Sequence, residues 1–307
     1  MVEVPSGSQE LTTEPRAQAS RTIAVCQHTT CRGQPALQVS LPQGDSILVS
    51  LQGAQVLSWV SEGRERLFLS PLARFDGHSA IRGGVPLCFP QFNQRGPLVK
   101  HGFARNLGWQ VQGEPVLTQA GATLSLCLTD SAPTFETWPF HFVAVVQLAL
   151  SPGVLNISLS VTQTGAPEEV TSELTFTGAL HTYLAVDDVE RATLSGLGGQ
   201  SEWNAVTDEH GRAADKLVFD GEFDRVYAAA GGKLCLTDGD HRLLISQGDS
   251  FADTVVWNPG AALCAQLSDM SKDAHRHMLC VEAAAVHTAV TVPSGATWQG
   301  WQRLEVA

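Results

Sequence analysis

From Leu155 to Thr162 the chain alternates without a break: Leu155, Ile157, Leu159 and Val161 are apolar, and Asn156, Ser158, Ser160 and Thr162 are polar. A period of two sends alternate side chains to opposite faces, so this segment predicts a strand with one buried face. Leu124, Leu126 and Leu128 against Thr123, Ser125 and Cys127 repeat the pattern. The run Phe140 to Leu150 is apolar almost throughout and predicts a more fully buried strand. In KLCLTDGDHRLLIS the Asp238-Gly239 pair sits between two apolar runs. It predicts a hairpin with a type I′ turn, whose positive φ angles Asp and Gly tolerate. A short helix is expected around Asp208 to Lys216, and helical periodicity is otherwise weak. Many short strands, Gly-rich turns and almost no helix predict an all-β protein built as one large β-sandwich.

The 307 residues divide into an N-terminal tail, residues 1–22, and a folded β-sandwich domain, residues 23–307. The tail is rich in Ser, Thr, Glu, Gln and Pro, shows no periodicity, and is expected to be flexible. The formal charge of −12 disfavours nucleic acid and anionic membranes as partners. An anionic substrate must therefore meet a local basic cluster. No run reaches the ~18 apolar residues of a membrane span, and the polar N-terminus does not resemble a signal sequence. Seven scattered cysteines without a C-x-x-C pair argue against a disulfide framework or a zinc knuckle. They read as reduced residues of a cytoplasmic protein, for which a monomer is the default expectation.

The densest stretch is IRGGVPLCFPQFNQRGPLVKHGFARNLGW, residues 81–109. Its Gly and Pro residues break regular elements, so it reads as structured loops presenting Arg82, Gln91, Lys100, His101 and Arg105 among aromatic residues. Such loops on a rigid scaffold are where sites usually lie. A second signal is ALHTYLAVDD, where an apolar run carries His181 and then Asp187 and Asp188. Taken alone, His181 is a core histidine, a metal ligand or a proton carrier. Asp187 and Asp188 read as the solvated end of the strand. Glu282 lies inside MLCVEAAAV, and a carboxylate in so apolar a run rarely lacks a partner or a task. The AHRHM segment, with His275 and His277, reads as an exposed strand end, and Gly196 to Gly199 as a turn.

The strings RGGVPLCFPQF, KHGFARN, ALHTYL, FDRVY, VVWNP and LCVEAAAV occur in this order. Together they resemble the hexose-6-phosphate 1-epimerases of the aldose 1-epimerase, galactose mutarotase-like superfamily, over roughly residues 47–304. The resemblance implies a single β-supersandwich that interconverts the α and β anomers of glucose 6-phosphate and similar sugars. It implies His181 as general acid and Glu282 as general base, and Arg82, Gln91, His101, Arg105 and Asp224 as substrate-binding residues. Leu184 and Ala185 follow Tyr183 where relatives often have an aromatic and then a polar or basic residue. Asn93 stands where relatives often have glycine.

Anomer exchange needs one group to take the proton of the C1 hydroxyl and another to protonate the ring oxygen. The ring opens, C1 rotates, and the same groups act in reverse as it closes. A carboxylate and an imidazole suffice, with no metal or redox cofactor. At neutral pH this scheme expects Glu282 ionised and His181 protonated, with Asp224 helping to raise the imidazole. Arg82 and Arg105 are the expected phosphate contacts, because guanidinium forks match phosphate oxygens, and Lys100 adds charge. The alternative for either arginine, and for Arg105 in particular, is a structural carboxylate partner. Rival readings are a non-catalytic carbohydrate-binding β-sandwich, a mutarotase of unphosphorylated aldoses, and a glycosidase using Glu282 and Asp224.

Overall fold

The computed structural model describes residues 22–165, 173–228 and 232–307, so nearly all of the expected tail lies outside the described residues. The strands form a ten-stranded, an eight-stranded and a five-stranded sheet, and every strand pairing is antiparallel. The alternating segments become Ala122–Thr129 and Val154–Gln163, and Phe142–Ser151 pairs with both. These three strands lie in the ten-stranded sheet beside Thr297–Val306. Their inner residues, among them Leu126, Leu148, Ile157 and Leu159, belong to the same core cluster as Leu174, Phe176, Leu180, Val281 and Ala283 of the eight-stranded sheet. The all-β sandwich is thus the observed architecture.

Three local expectations are corrected. Phe142–Ser151 buries one face only, with Val143, Val145 and Ala149 half-buried opposite it. Apolar content exceeded burial there because the outer face is partly covered. The hairpin joins Leu234–Asp238 to His241–Gln247 through Gly239 and Asp240, and only Gly239 has positive φ, at 60°. That pattern fits a type II′ turn rather than type I′. The expected helix over 208–216 is instead the strand Glu209–Arg212 followed by Lys216–Leu217. Pairing with Ser201–Asn204 overrides its weak helical signal. Among the described residues, no helix is long and apolar enough to cross a membrane.

Asp187 and Asp188 are more than a solvated strand end: they pair with Arg64 and Arg276, at 3.0 and 2.6 Å. The AHRH residues form a 3-10 turn, Ala274–His277, that leads into the strand Met278–Pro293. His277 Nδ1 lies 2.9 Å from the Asp187 carbonyl, so this turn is tied to the segment that follows Tyr183–Ala185.

A polar link joins the two large sheets beside residues 181 and 282, as a second one does at Gln247, which bonds the Asp253 carbonyl and the Thr254 hydroxyl. Gln302, on Thr297–Val306, is fully buried. Its carbonyl accepts the Thr182 hydroxyl at 2.5 Å, and its amide donates to the Val281 carbonyl at 2.9 Å. Thr182 and Val281 are the chain neighbours of His181 and Glu282. Losing one partner of a buried hydrogen bond costs about 1–3 kcal/mol, and Gln302→Leu removes two. Urea denaturation of this variant is expected to show a loss of about 2–4 kcal/mol. A change below about 0.5 kcal/mol, the usual range for surface positions, would remove Gln302 as a sheet-to-sheet tie.

Candidate active site

Strand Met278–Pro293 pairs with Glu173–Leu180 through Leu180 and Ala283, and with Tyr183–Ala185 through Tyr183 and Cys280. The register is the same on both sides of the gap, which sets His181 opposite Glu282. Pairing with Asp253–Asn258 puts Val255 beside Glu282, and Asp224 lies opposite Trp257 on the next strand. Since alternate residues share a face, Cys280, Glu282, Val255, Trp257 and Asp224 all look away from the sandwich core. Strand alternation therefore builds one wall of a cavity of about 220 Å³.

Loops supply the other wall. Gly83 and Gly84 have positive φ, and a Cβ on Gly84 would stand 2.1 Å from the Val56 carbonyl oxygen. Only glycine lets Arg82 approach there. Asn93 and His101 sit in left-handed conformations, at φ 48° and 66°. Asparagine tolerates this geometry, which accounts for its standing where relatives often have glycine. The cavity is lined by Arg82, Lys100, His101, Arg105, His181, Asp224 and Glu282, with Tyr183, Trp257, Glu222, Leu263 and Leu267 among the remainder. Leu184 and Ala185 are not in its lining; Leu184 is fully buried and bridges to Leu67. A larger groove of about 320 Å³, bordered by Val116, Asn156 and Arg303, has no acid or histidine in its lining.

Of the residues expected in the site, Gln91 stands apart. Its amide donates to the Asn93 and Leu98 carbonyls and accepts from Leu98 N–H, so it staples the loop and lines a neighbouring groove instead. The carboxylate partner falls to Arg82 rather than Arg105: Arg82 Nε is 3.1 Å from Asp269, and Nη1 donates to the Tyr183 hydroxyl at 3.1 Å. Arg105 donates to the Lys100 carbonyl and keeps a buried Nε without a hydrogen-bond partner. Asp269 was not singled out by the sequence.

His181 and Glu282 are buried, with Nδ1 3.3 Å from Oε1. The ring of His181 stacks on Tyr183 at 4.8 Å and meets Trp257 and His101 edge-on at 6.0 and 5.4 Å. Burial pushes His181 well below its ordinary pKa, and the nearby Arg105 and Arg82 push the same way. Burial pushes Glu282 up, helped by Asp224. Both shifts favour the neutral pair over the expected ion pair, and Asp224 acts on the carboxyl rather than on the imidazole. Asp224 is itself raised to about 6, chiefly by burial. His101 accepts at Nδ1 from Asn93 N–H at 3.2 Å, and Cys88 Sγ lies 3.0 Å from the same nitrogen. Its proton is thus on Nε2, and burial holds the ring neutral.

An acid and a base on one wall, with a neutral donor and cations on the other, suit proton transfer on an anionic polyol. A model of the family described as aldose 1-epimerase matches residues 36–305. The chain belongs to the aldose 1-epimerase family. This epimerase is thus an isomerase. It is 33% identical over 261 residues to a Cenchrus ciliaris protein named "Putative glucose-6-phosphate 1-epimerase", covering 82% of this chain and 78% of the relative. A protein of the same name from Escherichia coli strain K12 is 35% identical over 246 residues, covering 76% and 78%. The crystal structure of YeaD from Salmonella typhimurium, described as a putative mutarotase, superposes on the epimerase with a TM-score of 0.83 at 28% identity, covering 92% and 94% of the two chains.

The raised Asp224 gives a pH test of stability. Its folded pKa of about 6 exceeds the ordinary 3.8, so the folded state holds this proton more tightly. That contribution is complete below the ordinary value and is lost as pH rises from about 4 to about 6. Chemical denaturation across this window should show the stability of the parent relative to Asp224→Asn falling with pH, by up to about 2–3 kcal/mol. A flat difference would mean that Asp224 is not desolvated.

Proposed function

We propose that this epimerase interconverts the anomers of hexose 6-phosphates, with His181 and Glu282 exchanging protons with substrate. The observation that carries the reading is the buried His181–Glu282 pair on one sheet face, opposite three cations in a single cavity. Arg105 and Lys100 are the principal phosphate contacts in this reading, because Arg82 already shares its charge with Asp269. Asp224 and the Nε2–H of His101 bind sugar oxygens. The names of the relatives support the phosphorylated substrate.

The neutral pair fits the cycle. A phosphate dianion at Arg105, Lys100 and Arg82 cancels the positive charge that depresses His181. Once the 3.3 Å contact closes into a hydrogen bond around the bound substrate, the Glu282 proton passes to Nδ1, leaving a carboxylate and an imidazolium. The carboxylate takes the C1 hydroxyl proton while Nε2 protonates the ring oxygen, and the C1–O5 bond breaks to give the open aldehyde. The pair is neutral again at that point. After rotation at C1, the reverse transfers close the ring on the other face. Free cysteines accord with a reducing cytoplasm, and a monomer suffices, because one chain supplies the whole cavity.

Magnetisation-transfer NMR of anomer exchange tests the reading. The wild type is expected to accelerate exchange of glucose 6-phosphate more than that of glucose. His181→Ala and Glu282→Gln should each lose about 10²–10⁴ of the rate. Arg105→Ala should raise KM for glucose 6-phosphate about tenfold or more, and that for glucose much less. No acceleration of either sugar would overturn the reading and favour a binding protein.

Asp269 is a positioning residue in this scheme, holding Arg82 against the Tyr183 hydroxyl while the Tyr183 ring supports His181. Asp269→Ala should raise KM for the sugar phosphate by roughly threefold to tenfold, the worth of about 1 kcal/mol, with kcat changed less. Equal kinetics in steady-state assays would remove it from the network.

A further inference from the structure

Cys280 has no part in the proton transfers, yet it shares a sheet face with Glu282, two residues away on the same strand. One ligand atom each from His181, Cys280 and Glu282 lies within 4.8 Å of the others, and all three residues are buried. The His181 Nδ1 to Glu282 Oε1 distance is 3.3 Å, but the two atoms are not aligned as a hydrogen bond, and both Nδ1 and Glu282 Oε2 are buried without a hydrogen-bond partner. Two bonds of ~2.0–2.1 Å at the tetrahedral angle place their ligand atoms about 3.3–3.4 Å apart. The nitrogen and oxygen therefore already have the separation of one edge of a zinc tetrahedron. The thiol needs to close by at most about 1.3 Å to complete a face, since thiolate–zinc bonds run ~2.3 Å.

We propose that His181, Cys280 and Glu282 form an inhibitory site for a single borderline-soft divalent cation of the zinc class. A nitrogen, a thiolate and a carboxylate favour zinc or cobalt over magnesium and calcium, which prefer all-oxygen shells. Binding replaces the thiol and carboxyl protons, which leave to solvent, so the dication is balanced by two anions and the buried site stays neutral. The fourth position faces the cavity and is open to water. Metal and sugar compete, because the ion occupies the two groups that must exchange protons with substrate. The inhibition rests on the acid–base reading above; the coordination does not.

The test uses the full chain, freed of metal with a chelator and titrated with Co²⁺, whose thiolate complexes absorb in the near ultraviolet. One equivalent should give a thiolate-to-cobalt charge-transfer band, and Zn²⁺ should displace it while Mg²⁺ does not. Cys280→Ala should lose the band and bind Zn²⁺ about a hundredfold more weakly in equilibrium dialysis, while keeping its anomer exchange without metal. Cys280→Ser, closer in size, serves if the alanine variant does not fold. In the wild type Zn²⁺ should abolish exchange, with recovery on chelation and protection by excess glucose 6-phosphate. No band in the wild type, or a band that persists without the Cys280 thiol, would overturn the site. A band without inhibition would uphold the coordination and overturn the inhibitory role.

Discussion

Strand Met278–Pro293 meets Glu173–Leu180 on one side of residues 181–182 and Tyr183–Ala185 on the other, in a single register. A slip of one residue in either pairing would turn Glu282 from the cavity into the apolar core. Everything chemical in the molecule hangs on that pairing. The side facing the core is filled by Val281, Ala283 and Ala285, and the amide of Gln302 reaches across from the second sheet to the backbone and hydroxyl beside the pair. Specific packing behind the sheet and a specific hydrogen bond through it thus fix the distance between an imidazole and a carboxyl.

The electrostatics follow from the same burial. An ionised pair out of water is costly, and here neither partner gains a well-aligned hydrogen bond from the other that would offset the cost. The protein favours the neutral pair, surrounds the imidazole with aromatic faces, and places Arg82, Lys100 and Arg105 where they oppose its protonation. The site accordingly waits for negative charge to arrive with the ligand. The same neutrality and the orphaned nitrogen and oxygen make the site hospitable to a thiophilic cation.

Much of this was legible in the chain. Period-two alternation marked the strands at 124–128 and 155–162, because one face of each is in the core and the other is mostly half-buried. His181, Glu282, Asp224, Arg82, Arg105 and His101 meet in one cavity as their motifs implied. Gln91 does not, because a Gly- and Pro-rich loop needs internal hydrogen bonds and a glutamine amide supplies them as readily as it binds sugar. Asp269 was invisible, since its partner Arg82 lies far back in the chain and only the folded sheets bring them together. The charge states were misjudged for a related reason: pattern shows which residues meet, but not how thoroughly water is removed from them.

The two walls of the cavity differ in how they are made. The cations and His101 ride on loops shaped by glycine and left-handed backbone, whereas the proton-exchanging pair is woven into a sheet whose register cannot drift. Mutation can therefore reshape the loops, and with them the preferred sugar tail, while the reaction at the anomeric carbon is inherited intact. The architecture separates what is recognised from what is done, and a lineage can explore the first without risking the second.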